Sequence, residues 1–230
     1  MKEKIVIVGT SSSAIEAYEF IKMYNLYEVI GFAVDEKYIK SKTFYELPVF
    51  ALEKLDEAID KNEVKLFIAL LWNRLNADRR GLYERLKMQG YSFVNLISPT
   101  AIIRGKLKGD NCWIHDYVIV QPNAEIAENC MIMSYSLIGA SAKVGAHCFT
   151  GAKSTVAGGS IVGEQSFVGI NCTIFDDTKI GQKCILGACS VVKRNVPDFS
   201  VVKTDVNNMI IREIGEENIE SKLLFKENVR

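Results

Sequence analysis

Few side chains in this chain have an ordinary pKa near neutrality. It has two histidines, His115 and His147, either of which could take up a proton near neutral pH. Of its six cysteines, five (Cys112, Cys130, Cys148, Cys172 and Cys184) are separated by multiples of six residues. No pair has the CxxC spacing of a common metal site, and free cysteine packs as a small hydrophobe, so a structural role is expected and no metal. Two glycine stretches complete the set. Gly9-Thr-Ser-Ser-Ser13 follows an apolar run and would present backbone N–H groups at a helix start, which suits a phosphate. It has one glycine where the full dinucleotide fingerprint has three, so a tight turn with a polar cap stays open. Gly158-Gly159 is the second stretch.

A repeat must position most of these residues. From Ile102 in steps of six to Val192, fourteen of sixteen positions are aliphatic; Lys108 and Thr150 are the exceptions. Four residues after each stands a small residue in fifteen of sixteen units, Lys106 excepted, and the five cysteines fall in that column. A period of six fits neither a helix nor a strand pair and reads as one short strand and one turn per unit. Large and small inward residues then fill the flats and corners of a narrow prism. Turn positions carry Asn111, Asn123, Asn129, Asn171 and Asn195, or Gly105 and Gly159, which tolerate left-handed backbone. His147 occupies such a turn, whereas His115 follows inward Ile114 and should point out of a flat wall, 18 residues before Met133.

Residues 4–97 read as a separate α/β unit. Strands are expected at 5–8, 29–34, 64–71 and 91–96, with a short extended piece at 47–49. Helices are expected at 12–24, 52–61 and 76–89, and the alternation implies a mostly parallel sheet binding ligands at its strands' carboxyl ends. Asp35, after the second strand, is placed to accept hydrogen bonds from a ribose or base. The tail is polar, with a helix expected over 216–225. Twenty-eight basic residues balance 28 acidic ones, which argues against nucleic acid or an anionic membrane as partner. The longest apolar run, 66–72, is too short to span a bilayer. A cytoplasmic location is expected.

Alternating aliphatic-Gly-x-Asn-small-x units resemble the left-handed parallel β-helix of hexapeptide-repeat acyltransferases. With the preceding unit, and with Ile5-Val-Ile-Val-Gly9, Val29-Ile-Gly-Phe-Ala-Val-Asp35, Leu71-Trp-Asn-Arg-Leu-Asn-Ala-Asp-Arg79, Gly90-Tyr-Ser-Phe-Val94 and Leu96-Ile-Ser-Pro-Thr-Ala101, the chain is similar to the sialic-acid O-acetyltransferase family. That family includes N-acetyltransferases for nucleotide-linked amino sugars. The resemblance implies a Rossmann-like nucleotide-sugar-binding domain over 1–98, a left-handed β-helix of about five coils over 99–205, and a C-terminal tail over 206–230. It implies acetyl-CoA or another acyl-CoA as cosubstrate and a homotrimer. Gly9, Ser11, Asp35, Asn73 and Arg79 would hold the nucleotide. The Gly158 N–H would polarise the thioester carbonyl, and the backbone at Ile170 and Ala188 would line the pantetheine arm. A merely permissive corner at Gly158-Gly159 stays open.

The family's base is absent. Its histidine position, in Leu137-Ile-Gly-Ala-Ser141, is Ala140, the partner position is Ser141, and the acceptor-contacting position seven earlier is Met133. Only His115, close to Met133, and His147 are left as candidate bases, each with a structural reading beside the catalytic one. Three functions stay open: an N-acyltransferase acting on a nucleotide-linked amino sugar without the usual base, an O-acetyltransferase of sialic acid or a similar hydroxyl, and a silent sugar-nucleotide-binding scaffold. A hydroxyl must lose its proton as it attacks, so the lost histidine weighs most against the second.

Overall fold

The structure is a computed structural model and describes residues 2–203. The helix expected over 216–225 lies outside the described residues. The chain begins with β1 (Lys4–Val8), α1 (Ser12–Tyr24), β2 (Glu28–Val34), β3 (Thr43–Phe44), β4 (Leu47–Ala51), α2 (Leu55–Ala58), β5 (Val64–Ile68) and α3 (Ala77–Met88). The strands form one sheet in the order β3-β4-β2-β1-β5, parallel except for the β3–β4 hairpin. β1 is buried on both faces, which explains its unbroken apolar run. Ile5 and Ile7 face α1, while Val6 and Val8 face α2 and α3.

Three expectations for this unit need correction. The second helix is one turn of 3-10 helix (Leu52–Lys54) and then four α residues, because Ile59 already returns to extended backbone. Residues 91–96 form no sheet strand; Phe93 makes one bridge to Leu66, and Leu96–Ile97 pairs with the prism instead. The β3–β4 hairpin was not expected, and its turn puts Tyr45 and Glu46 at positive φ.

From Leu96 to Val202, two-residue strands stack into three parallel sheets around a prism, the pattern of a left-handed β-helix. Each strand points its first residue out and its second in. The first wall presents Ile102, Ile119, Leu137, Thr155, Thr173 and Val191; the second presents Lys106, Glu125, Lys143, Ile161 and Lys179. The third presents Trp113, Met131, Phe149 and Phe167, which pack against α1 and the sheet. Inside, the aliphatic column and Cys112, Cys130, Cys148, Cys172 and Cys184 form one buried core. The thiols of Cys130 and Cys148 each donate to a carbonyl across the corner, of Gly145 and Gly163, at 3.1 Å.

Every sixth residue from Asn111 to Cys189 has positive φ. That column includes Tyr117, Tyr135 and His147, for which left-handed backbone costs about 1–2 kcal/mol each. The repeat is out of phase at both ends. Val120 pairs with Ile103 and Ile126 with Leu107, so Ile103 and Leu107 point in, not Ile102 and Lys108. At the other end Ile180 bridges Val196 and Leu186 pairs with Val202, so the final coil is shorter and Val196 takes an aliphatic slot.

Candidate active site

The carboxyl ends of β1, β2 and β5 converge on Gly9, Asp35 and the segment after Ile68. A cleft of about 460 Å³ opens there, lined by Asp35, Tyr38, Leu70, Leu71, Asn73 and Arg85 among others. Asp35 and Asn73 therefore share one cavity. Arg85, which sequence reasoning missed, donates to Asp35 at 2.6 Å and presents a fixed charge pair to the cleft. The signal was its place on α3, the helix that follows β5. Thr10 lines a smaller hollow of about 190 Å³ on the far side of Tyr38, together with Lys40 and Ser41.

Gly9 has φ +131, and a Cβ there would lie 3.3 Å from the Ala69 carbonyl oxygen, so glycine is required by the close approach of β1 and β5. Ser11 caps α1 only by its backbone, and its hydroxyl pairs with that of Ser13 at 2.8 Å. The Ser13 hydroxyl is buried and bonded to the Ala69 carbonyl. Arg79 differs from its expected role. It is fully buried, and its guanidinium donates to the backbone carbonyls of Ile68, Leu70 and Asn111. Burial lowers its pKa to about 10. It clamps the sheet edge to the prism, out of reach of any ligand in the cleft.

The prism corner between the first and second walls carries Ala140, Ser141, Gly158 and Gly159. Ala140 and Ser141 are exposed. The Ala140 N–H is capped by the Gln121 side chain at 2.9 Å, while that of Gly158 has no acceptor among the described residues. A Cβ on Gly158 would sit 3.2 Å from an Asp176 carboxylate oxygen, and one on Gly159 would collide with Asp177. The two glycines thus make room for acidic side chains of the next coil. Ile170 and Ala188 are exposed at the corner between the third and first walls.

Neither histidine reaches the Gly158 corner. That corner is the vertex opposite the third wall, and His115 lies on the third wall beneath α1. His115 is 6% exposed, stacked on Trp113 with centroids 4.6 Å apart and tilted against Phe20 at 5.7 Å. Its Nε2 has no partner among the described residues. Burial pushes its pKa down to about 4, against the opposing charge of Asp116. Met133 is half-buried on the same wall, next to the strand that pairs with His115's. His147 lies at the corner between the second and third walls, in a buried ladder. Asn111 Nδ2 donates to Asn129 Oδ1 at 2.6 Å, and Asn129 Nδ2 meets His147 Nδ1 at 2.8 Å. Burial, then the nearby Arg80 cation, lowers its pKa. Both rings therefore lie buried inside the junction that joins sheet and prism, away from the glycine corner.

Comparison with known proteins follows the same lines. Residues 109–140 and 123–158 match the family Bacterial transferase hexapeptide (six repeats). PerB from Caulobacter crescentus, solved in complex with CoA and GDP-perosamine, is 26% identical, with a TM-score of 0.73 over 85% of this chain and 91% of that one. The acetyltransferase domain of PglB from Neisseria gonorrhoeae is 18% identical, with a TM-score of 0.75 over 86% and 95%. WeeI from Acinetobacter baumannii is 19% identical, with a TM-score of 0.72 over 86% and 96%. By these likenesses the chain is an acyltransferase, and its prism carries hexapeptide repeats. No curated protein sequence matches it.

In this acyltransferase the cleft and the glycine corner stand on different sides of the prism. The N-terminal sheet covers the third wall, and Gly158 lies at the vertex facing away from it. Among the described residues no cluster of three His, Cys, Asp or Glu side chains is placed to hold a metal ion, and no helix is long and apolar enough to cross a membrane.

Proposed function

We propose that this acyltransferase moves an acyl group, acetyl in the simplest case, from acyl-CoA to the amino group of a nucleotide-linked amino-deoxy sugar, for surface polysaccharide or glycan synthesis. One observation carries the reading. A cleft at the carboxyl ends of a parallel sheet is joined to a hexapeptide prism, and the likeness to PerB, an enzyme solved with CoA and GDP-perosamine, covers both parts. On this reading residues 1–98 are a Rossmann-like nucleotide-sugar-binding domain, 99–205 an acyltransferase β-helix of about five coils, and 206–230 a tail. Asp35, with Arg85 paired to it, and Asn73 contact the nucleotide, while Gly9 and the first turn of α1 at Ser11 face its phosphates.

The Gly158 N–H polarises the thioester carbonyl, and the exposed backbone at Ile170 and Ala188 lies along the pantetheine arm. One chain cannot bring its own cleft to its own glycine corner, because the prism stands between them. A ring of three chains does so, and heterologous contacts close such a ring. The apolar first wall supports this packing: Ile102, Ile119 and Val191 are exposed on it. The reaction takes place in the cytoplasm, with no metal.

The chemistry runs without a histidine at the family position. The free amine attacks the carbonyl carbon, the C–S bond breaks, and CoA leaves as thiolate while the nitrogen gives up its proton to solvent. Sugar amines flanked by oxygens are less basic than a lysine, with its reference pKa of about 10.4, so free amine exists near neutrality. Positioning contributes up to about 7–11 kcal/mol, against the roughly 10²–10⁴-fold typical of a general base. A variant of the Caulobacter enzyme with one histidine replaced by alanine was solved holding CoA and GDP-perosamine, which supports binding of both partners without a full histidine set. A hydroxyl acceptor gains no such help from Ala140 and Ser141.

The test is turnover of nucleotide amino sugars with acetyl-CoA by the wild type, His115→Ala and His147→Ala. Acetylated amine is expected, with less than tenfold loss in kcat for each folded variant. A thousandfold loss for His115→Ala alone would make it a base, and acetylation of hydroxyl acceptors only would overturn the N-acyl reading.

A further inference from the structure

The segment between β5 and α3 carries three wall residues of the cleft, Leu70, Leu71 and Asn73. It then runs through three successive non-glycine residues in left-handed backbone: Arg74 (φ 50), Leu75 (φ 55) and Asn76 (φ 61). No local preference favours such a run, since each step is unfavourable for an L side chain by about 1–2 kcal/mol. Local hydrogen bonds close the turn, from the Asn76 N–H to the Trp72 carbonyl at 3.2 Å and from the Ala77 N–H to the Arg74 carbonyl at 3.1 Å, and the prism adds ties of its own. Gln165 Nε2 donates to the Leu75 carbonyl at 3.0 Å. Asn76 Nδ2 donates to the His147 carbonyl at 2.6 Å. The Trp72 ring lies on Phe149 at 4.5 Å.

Gln165 is well suited to the task. It is 6% exposed, and its own φ of 55 belongs to the prism's corner column, so its backbone is set by the repeat. Its Oε1 accepts from Arg80 of α3 at 3.0 Å, which fixes the amide's orientation and aims Nε2 at the loop. Sequence reading gave neither Gln165 nor Trp72 a role.

We propose that Gln165, with the Asn76–His147 tie, is a positioning residue for the nucleotide cleft: the prism dictates the loop, and the loop places Asn73. This rests on the reading that the cleft holds the nucleotide of the acceptor sugar. The side chain touches no substrate and acts through the Leu75 carbonyl. It also explains why a histidine can occupy position 147 without being a base, since its carbonyl and its backbone turn are what the loop uses.

Gln165→Glu separates the two halves of the residue. It keeps an acceptor for Arg80 and replaces the donor to Leu75 with a second acceptor. The probes are GDP and UDP, titrated separately into wild type, Gln165→Glu and Asp35→Ala, with acetyl-CoA titrated in parallel. Gln165→Glu is expected to weaken the nucleotide that binds by up to about tenfold, the value of one neutral hydrogen bond. Its affinity for acetyl-CoA should be unchanged although its thermal midpoint falls with the lost buried hydrogen bond, and any turnover should show a raised KM for the sugar nucleotide at constant kcat. Wild-type nucleotide affinity in Gln165→Glu, with Asp35→Ala impaired, overturns the proposal and leaves the cleft reading standing. An unimpaired Asp35→Ala, or no binding of either nucleotide to the wild type, overturns the cleft reading and the proposal with it. If Gln165→Glu does not fold, Asn76→Asp removes the donor to the His147 carbonyl and carries the same expectations.

Discussion

At position 115 an imidazole is held between Trp113 and Phe20, its Nε2 without a partner among the described residues, in a setting that favours the neutral ring. Its folded pKa of about 4 lies below the unfolded value of 6.5, so between these pH values the unfolded chain binds more protons and stability falls as pH drops. A span of this size corresponds to roughly 3 kcal/mol, lost on going from neutral pH to about 4. Urea melts at pH 7 and pH 4.5 are expected to show that loss in the wild type and a smaller one in His115→Phe. Equal losses would mean His115 is solvated in the folded chain. The sequence placed His115 correctly on the outside of a flat wall. The outward Trp113, Met131, Phe149 and Phe167 of that wall mark it as covered, but a hexapeptide unit does not record that α1 is what covers it. Arg79 was misjudged for a related reason: its neighbours in sequence border the cleft, but the side chain turns inward to three carbonyls.

The prism was largely legible from its two in-phase columns, and its ends were not. Lys108 in the aliphatic column and Lys106 in the small one warned of a slipped first coil, since a charged residue is not left inside a narrow prism. A shift of one residue turns every side chain to the opposite face, and here it exchanges Ile102 for Ile103 and Lys108 for Leu107. Ile103→Lys is therefore expected to cost about 2–3 kcal/mol, and Ile102→Lys less than about 0.5 kcal/mol, in monomer-level unfolding experiments. The reverse ranking would restore the unslipped register. In the corner column, Cys130→Ser should be nearly neutral, because Ser136, Ser154, Ser160 and Ser166 stand in equivalent places and donate to carbonyls as Cys130 does. Cys130→Leu should overpack the corner and cost on the order of 1–3 kcal/mol. Both are read from chemical denaturation, and an unfolded Cys130→Ser would show that sulfur does more than fill space.

For the whole molecule, the cleft and the glycine corner face away from each other across a single prism, and the proposed three-chain ring would bring them together. Light scattering is expected to give three times the chain mass, and Leu137→Glu on the first wall should lower that mass and abolish turnover together. A monomer with full activity would overturn the ring. The junction of sheet and prism also bears on synthesis. The apolar face of the sheet and α1 is complete once Ile68 has been made, whereas its last large partner among the buried wall residues, Phe149, comes 81 residues later (149 − 68). At about 5–20 residues per second, a nascent chain carries this apolar face without its full cover for roughly 4–16 s. Ribosome-bound chains stopped between residues 98 and 130 should therefore recruit chaperones, and chains released at full length should not. Codons that slow elongation before residue 149 would then lower the yield of an otherwise unchanged protein.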